Sequence, residues 1–213
     1  MSEPDAPIGL YGGTFDPVHC GHLRVALEAA DALGLEQVRL LPVNVPGHRA
    51  PPVASVSDRC DMLEAAAQRP LIVDRSEIER GGVSYTVDTL EALRAQYPRR
   101  SLCLILGLDA YQGLPSWHRP HDILALAHIV VAMRPDVQGA PPPELDLLAA
   151  NKQSDDVNEL RTNPAGRIFF LSIPLLPIAS SDLRQRRRNG HSIRHLVPES
   201  VDDIIRQRRL YLS

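Results

Sequence analysis

Cysteine is scarce in this sequence: three Cys and one Trp in 213 residues. Cys20, Cys60 and Cys103 stand far apart with no Cys-x-x-Cys pair. That spacing argues against a disulfide framework or a cysteine zinc site and fits a reducing compartment. No run approaches the ~18 apolar residues needed to span a bilayer, and the polar, acidic start from Met1 to Pro7 does not read as a signal peptide. Charge of one sign is also lacking. A formal net charge of −3 gives no broad electrostatic case for nucleic acid or for a membrane. The basic run Arg186-Arg187-Arg188, with Arg206, Arg208 and Arg209, has no aromatic series beside it and reads as a solvated face. Neither familiar phosphate-loop pattern is present: there is no Gly-Lys-Ser/Thr, and Gly12-Gly13 is not part of Gly-x-Gly-x-x-Gly. With 44% hydrophobic and 23% charged residues, the expectation is one cytoplasmic, enzyme-sized domain over residues 1–213.

What is present is an alternation of strand and helix signals. Ile8 to Tyr11 is a short apolar run before a glycine-rich turn, and Leu23 to Leu33 has helical periodicity ending at Gly34. Val38 to Val43 reads as a strand. A helix is expected from about Asp58 to Arg69, with Ser55 and Asp58 as a capping box. Leu71 to Ile78 is strand-like, and a helix follows Ser84-Tyr85-Thr86 as far as Tyr97, stopped by Pro98. Leu102 to Leu106, Ile129 to Met133 and Ile168 to Ile173 are apolar runs of the kind covered on both faces. Strands separated by helices imply an α/β fold, a Rossmann-like doubly wound parallel sheet with helices on both faces. Residues 136–166, rich in Pro and polar residues, are expected to form a surface excursion that carries a short helix near Glu144 to Ala150. Residues 180–213 are expected to be a C-terminal helical part that completes a nucleotide site.

The chemistry concentrates first in Gly12-Gly13-Thr14-Phe15-Asp16-Pro17-Val18-His19-Cys20-Gly21-His22. Strand, glycine turn and helix start suit phosphates, because backbone can approach closely and helix N–H groups favour anions. His19 and His22, three apart, can both face one triphosphate if the helix has begun. They could alternatively ligate a metal, but no Cys or carboxylate partner sits at a familiar spacing. Ile178-Ala179-Ser180-Ser181-Asp182-Leu183-Arg184 offers a second anion site, with Ser180 or Ser181 as a helix cap and Arg184 one turn on. Gly107 and Asp109 follow a strand. Asn44, His48 and Arg49 lie on the loop after another, so these segments should share one rim with the first motif.

Three segments together carry a resemblance: Gly-Gly-Thr-Phe-Asp-Pro-Val-His-x-Gly-His, Ser-Tyr-Thr-x-Asp-Thr-Leu at 84–90, and Ile-x-Ser-Ser-x-Leu-Arg at 178–184. The chain resembles the bacterial nicotinate-nucleotide adenylyltransferases, members of the HIGH-type nucleotidyltransferases, from about Gly9 to the C-terminal helix. The resemblance implies transfer of the adenylyl group of ATP to nicotinate mononucleotide. It implies that His19 and His22 contact the ATP phosphates, that Gly12, Gly13, Thr14 and Phe15 line the reaction centre, and that Ser180, Ser181 and Arg184 hold the triphosphate from the other side. Gly107 and Asp109 would serve the adenosine ribose. Thr86 and nearby N–H groups would receive the nicotinate carboxylate, and Trp117, in the loop with His118, would lie against the pyridine ring. Without the resemblance, a lone Trp is more often packing. Arg49 is the candidate for the mononucleotide phosphate. The chain departs from the family at Gly47, where Pro-Pro-His-Lys/Arg is usual, and at Ala179, which replaces a frequent serine.

The acceptor phosphate is already an anion near neutral pH, so no general base is required. Catalysis reduces to positioning and charge neutralisation, with His22 and Arg184 at the departing pyrophosphate and Mg²⁺ carried mainly on the ATP phosphates. A monomer or small homo-oligomer is expected. The nearest enzymatic rival, the phosphopantetheine adenylyltransferases, lacks the paired glycines and the Ser-Tyr-Thr block. A non-catalytic nucleotide sensor would not need an intact His19, His22, Ser180 and Arg184.

Overall fold

The computed structural model describes residues 6–47, 50–133 and 143–212. In chain order the elements are β1 (Ile8–Gly13), α1 (Cys20–Leu33), β2 (Gln37–Pro42), β3 (Val45–Pro46), α2 (Val56–Ala66), β4 (Leu71–Val73), α3 (Ser76–Arg80), β5 (Val83–Ser84) and α4 (Thr86–Gln96). There follow β6 (Leu102–Gly107), α5 (Leu108–Gln112), a 3₁₀ turn at Leu114–Ser116, α6 (Pro120–Leu126), β7 (His128–Met133), α7 (Pro143–Ala149), α8 (Val157–Thr162), β8 (Ile168–Ser172), α9 (Ser180–Arg188) and α10 (Glu199–Gln207).

Six of the strands form one parallel sheet in the order β4-β2-β1-β6-β7-β8, the doubly wound order that reverses between β1 and β6. Alternation along the strands divides the core. Ile8, Leu10, Leu102, Leu104, Ile129 and Val131 face one apolar cluster with α4 and α6. Cys103, Ile105, Val130 and Ala132 face a second cluster with α1, α2 and α10. Both faces of the central strands are thus covered, which explains why their sequences are apolar without interruption. Among the described residues no helix is long and apolar enough to cross a membrane.

The helix starts follow their caps. Ser55 accepts the N–H of Asp58 at 3.1 Å, so α2 begins at Val56, and it ends at Ala66 rather than Arg69. Gly34 closes α1 in the left-handed conformation (φ 61°). Two expectations are corrected. The strand read over Leu71 to Ile78 stops at Val73, because the Asp74 carboxylate accepts the N–H of Ser76 at 3.0 Å and turns the chain into α3.

The second correction concerns residues 136–166, read as a surface excursion. Residues 136–142 lie outside the described residues. From 143 onward the segment is packed: Leu145 and Leu148 of α7 enter the core, Leu160 of α8 is buried, and Gln153 bridges to Ile168. The short helix expected near Glu144 to Ala150 is α7, and its Leu145 and Leu148, three apart, are the positions that enter the core. Leu145→Ala is therefore expected to destabilise the protein by about 2–5 kcal/mol in chemical denaturation. Leu147→Ala, at a position 80% exposed, should stay within about 0.5 kcal/mol of wild type. Equal effects at the two positions would contradict the packing of α7.

Candidate functional site

The site begins where two strands part. β1 pairs with β6 only from Ile8 to Leu10, opposite Leu102 to Leu104. Beyond that, Tyr11 to Gly13 pair with β2, and Ile105 to Gly107 pair with β7. The carboxyl ends of β1 and β6 therefore splay, and a cavity of about 300 Å³ opens between them, lined by Gly12, Gly13 and Thr14 on one side and Gly107 on the other. This is the crevice at which open parallel sheets bind ligands.

The loop from Thr14 to Val18 is held from behind by its carbonyls. Arg59 donates Nη1 to the carbonyl of Thr14 at 2.8 Å, Arg184 donates Nη1 to that of Asp16 at 2.7 Å, and Ser180 donates Oγ to that of Pro17 at 3.0 Å. Among the described residues no backbone hydrogen bond uses the N–H of Thr14, Phe15 or Asp16. Phe15 takes a left-handed backbone (φ 49°), and its ring is buried over Gly13. A Cβ at Gly13 would lie 3.0 Å from that ring, so this glycine is required by close approach.

His19 caps α1, its Nδ1 accepting the N–H of His22 at 3.3 Å. The two imidazoles stack with centroids 3.6 Å apart, and Phe15 packs edge-on to His22 at 5.1 Å. Burial lowers the His19 pKa to about 4. Burial, with His19 as a smaller cause, lowers that of His22 to about 3. Both rings are neutral at working pH, and Nδ1 of His22 is enclosed without a partner among the described residues. Neutral rings can offer hydrogen bonds to an anion, but they bring no charge of their own until the anion arrives.

Across the cavity lie Thr86, Trp117 and His118, with Pro46 and Gly47 at its rim. Thr86 is the first residue of α4. His118 packs on Tyr85 with ring centroids 4.5 Å apart. Glu77 and Thr89 lie deeper. The Thr89 hydroxyl donates to Oε1 of Glu77 at 2.9 Å and accepts from Arg80 at 3.0 Å, and burial raises the Glu77 pKa.

Of the residues singled out in the sequence, Gly12, Gly13, Thr14, His22, Gly107, Thr86, Trp117 and His118 line this one cavity. His19, Phe15, Ser180 and Arg184 stand behind it. Neither Ser180 nor Ser181 caps α9: the cap residue is Ala179, Ser180 is spent on Pro17, and Ser181 is exposed. Asp109 is exposed in the first turn of α5, whose cap is Gly107. Asn44 does not line the cavity. Its N–H donates to Ser84 and its amide to the carbonyl of Gly82, fastening the β2–β3 turn to β5. His48 and Arg49 lie outside the described residues. Sequence reasoning missed Asp16, Arg59, Tyr85 and Glu77. Asp16 and Arg59 have partners tens of residues away, whereas Tyr85 was inside a recognised segment and went unassigned.

Within the basic run, Arg208 pairs with Asp58 and Asp61, Arg206 with Asp202, and Arg186 with the carbonyl of Ser192. Among the described residues no three His, Cys, Asp or Glu side chains converge on one point.

A cytidylyltransferase-like family matches residues 10–186. A nicotinate-nucleotide adenylyltransferase of Methylococcus capsulatus is 45% identical over 207 residues, spanning 96% of this chain and 99% of its own. One from Pseudomonas putida is 46% identical over 208 residues, spanning 96% and 94%. The fold is that of Plasmodium falciparum nicotinic acid mononucleotide adenylyltransferase complexed with NaAD, at a TM-score of 0.71, 17% identity and 97% of both chains. The same enzyme complexed with APC gives 0.68. With a glycine cradle at the strand splay and relatives matched along nearly their whole length, the chain belongs to the nicotinate-nucleotide adenylyltransferases, within the cytidylyltransferase-like family.

Proposed function

We propose that the protein transfers the adenylyl group of ATP to nicotinate mononucleotide, releasing pyrophosphate and forming nicotinate adenine dinucleotide in NAD biosynthesis. The observation that carries this reading is one cavity in which the Gly12–Thr14 cradle and His22 face Thr86 and Trp117. A phosphate donor and a flat acceptor can meet there.

The backbone N–H groups of the cradle and His22 receive the triphosphate, and Arg184 supports the loop from the α9 side. Thr86 and the first N–H groups of α4 receive the nicotinate carboxylate. Trp117 offers its indole face to the cationic pyridine ring, with His118 and Tyr85 at its edge. The exposed Asp109 carboxylate serves the ribose hydroxyls of ATP, and Arg49 the mononucleotide phosphate. Asn44 and His48 belong to the acceptor side, Asn44 through the loop it fastens. In-line attack then needs no base, because the nucleophile is a phosphate oxygen. His22 donates a hydrogen bond to the departing pyrophosphate and gains affinity for a proton as negative charge builds beside it. Mg²⁺, when bound, neutralises triphosphate charge. The residues fit a cation carried on phosphates and waters, since the buried Asp16 carboxylate is already taken by the N–H groups of Val53 and Ala54. Three free thiols suit a cytoplasmic setting.

The deciding experiment is pyrophosphate release from ATP with nicotinate mononucleotide, nicotinamide mononucleotide or phosphopantetheine. Nicotinate mononucleotide is expected to exceed both by about tenfold or more in kcat/KM. A preference for phosphopantetheine overturns the reading. His22→Ala should lower kcat by about 10²–10³ with a much smaller change in KM for ATP; near-normal turnover removes His22 from the mechanism.

The histidine pKa values set a stability window. Both folded values lie below the usual ~6.5 of an unfolded histidine, so between about pH 6.5 and 4 the unfolded chain binds more protons. The stabilisation from neutral His19 and His22 is complete above about pH 6.5 and is lost as pH falls, down to about 4 for His19 and about 3 for His22. Thermal melts at pH 7.5 and 5.0 should show a larger drop for wild type than for His19→Gln/His22→Gln. Equal drops would mean the imidazoles are not held neutral.

A further inference from the structure

Asp16, at the bend of the cradle loop, is 2% exposed, and its carboxylate gathers donors from distant parts of the chain. Oδ2 accepts the N–H of Val53 at 2.7 Å. Oδ1 accepts the N–H of Ala54 at 3.1 Å and the hydroxyl of Tyr211 at 2.7 Å, across 195 residues. Arg184 stands 3.8 Å from Oδ2. Tyr211 is 4% exposed. The segment that carries it is bent to reach this point: Arg209 and Tyr211 both have left-handed backbones, at φ 54° and 60°. Side chains disfavour that conformation and keep it only where the surroundings hold it. Arg208, the residue before the bend, is fastened to Asp58 and Asp61 of α2, the helix whose Arg59 holds the carbonyl of Thr14.

We propose that Tyr211 is a positioning residue for the phosphate loop, acting through Asp16, so that the segment after α10 latches the cradle in its ligand-ready shape. This rests on reading the loop as the triphosphate cradle. The phenol is suited to the task. Burial and the neighbouring Asp16 carboxylate push its pKa up, so it remains a donor. Without that donor, one acceptor site on a buried carboxylate goes unfilled, and the loop gains a reason to shift toward water or toward Arg184. Such a shift moves the carbonyls of Asp16 and Pro17, and with them the N–H groups that would meet the triphosphate. Turnover should suffer more than binding, because transition-state geometry is the more demanding.

The test compares full-length wild type, Tyr211→Phe and Val201→Ala. Val201, fully buried in α10, destabilises the same region without touching Asp16. Hydrogen exchange at the amides of Thr14, Phe15, Asp16 and Val18 is measured first, then kcat and both KM values by pyrophosphate release. Tyr211→Phe is expected to speed loop exchange about tenfold and to lower kcat about tenfold, with KM for nicotinate mononucleotide within about twofold. Val201→Ala is expected to lower Tm at least as far while leaving loop exchange and kcat within about twofold of wild type. Wild-type loop exchange in Tyr211→Phe overturns the proposal. So does faster exchange with unchanged kcat, and so does an equal effect of Val201→Ala. If wild type itself releases no pyrophosphate from ATP and nicotinate mononucleotide, the proposed function falls, and the exchange rates alone decide the latch.

Discussion

Everything about this site depends on the failure of two neighbouring strands to stay together. β1 and β6 share three paired positions and then turn to their outer partners. The doubly wound order makes this unavoidable somewhere: chain leaving β1 runs to one side of the sheet and chain leaving β6 to the other, so no crossover fills the gap between their carboxyl ends. The crevice opens onto the core, since Leu10, Leu104 and Leu106 of one apolar cluster and Ile105 of the other line it. Glycine at positions 12, 13 and 107 then keeps the walls of the crevice bare.

The cradle is rigid for a reason that its own residues do not contain. A loop that offers N–H groups to an anion has to dispose of its carbonyls, and here those of Thr14, Asp16 and Pro17 are taken by donors from other elements, Arg59 of α2 and Arg184 and Ser180 of α9. Preorganisation of this kind places donors before the substrate arrives. The stacked, neutral imidazoles follow the same logic. Two cationic rings 3.6 Å apart would repel, and burial resolves the conflict by keeping both unprotonated in the free protein.

Much of this was legible in the sequence, and the boundary is physical. Short-range features read well: the apolar strands, the Gly34 cap and the start of α4 at Thr86. Each is dictated by residues within one or two turns of each other. Long-range polar pairing did not read. Ser180 resembles a helix cap from its neighbours alone, but the carbonyl of Pro17 competes for its hydroxyl and wins. Asn44 looked like a ligand contact and is instead a fastener between β2 and β5, since Gly82 offers its amide a partner. Arg59, fully buried in an ordinary amphipathic helix, carries no local sign of its role. α7 was legible as a short helix near Glu144 to Ala150, but the burial of its Leu145 and Leu148 was not, because Pro, Asn and Asp dominate the surrounding stretch.

A chain of net charge −3 that handles two phosphorylated substrates also needs an electrostatic account. Total charge is the wrong quantity, because exposed charges are screened beyond about 10 Å. Part of the basic surface is spoken for by carboxylates of this chain, as with Arg208 on Asp58 and Asp61. Behind the cradle the balance differs. Arg59 is fully buried, with Nε and Nη2 unpartnered, and Arg184 is largely covered, with Nε unpartnered. The buried Asp16 carboxylate acts on both, 3.8 Å from Arg184 and the main acidic influence on Arg59, where water is scarce and screening weak. Two largely covered guanidiniums behind the loop thus weigh more on that region than the formal net charge does.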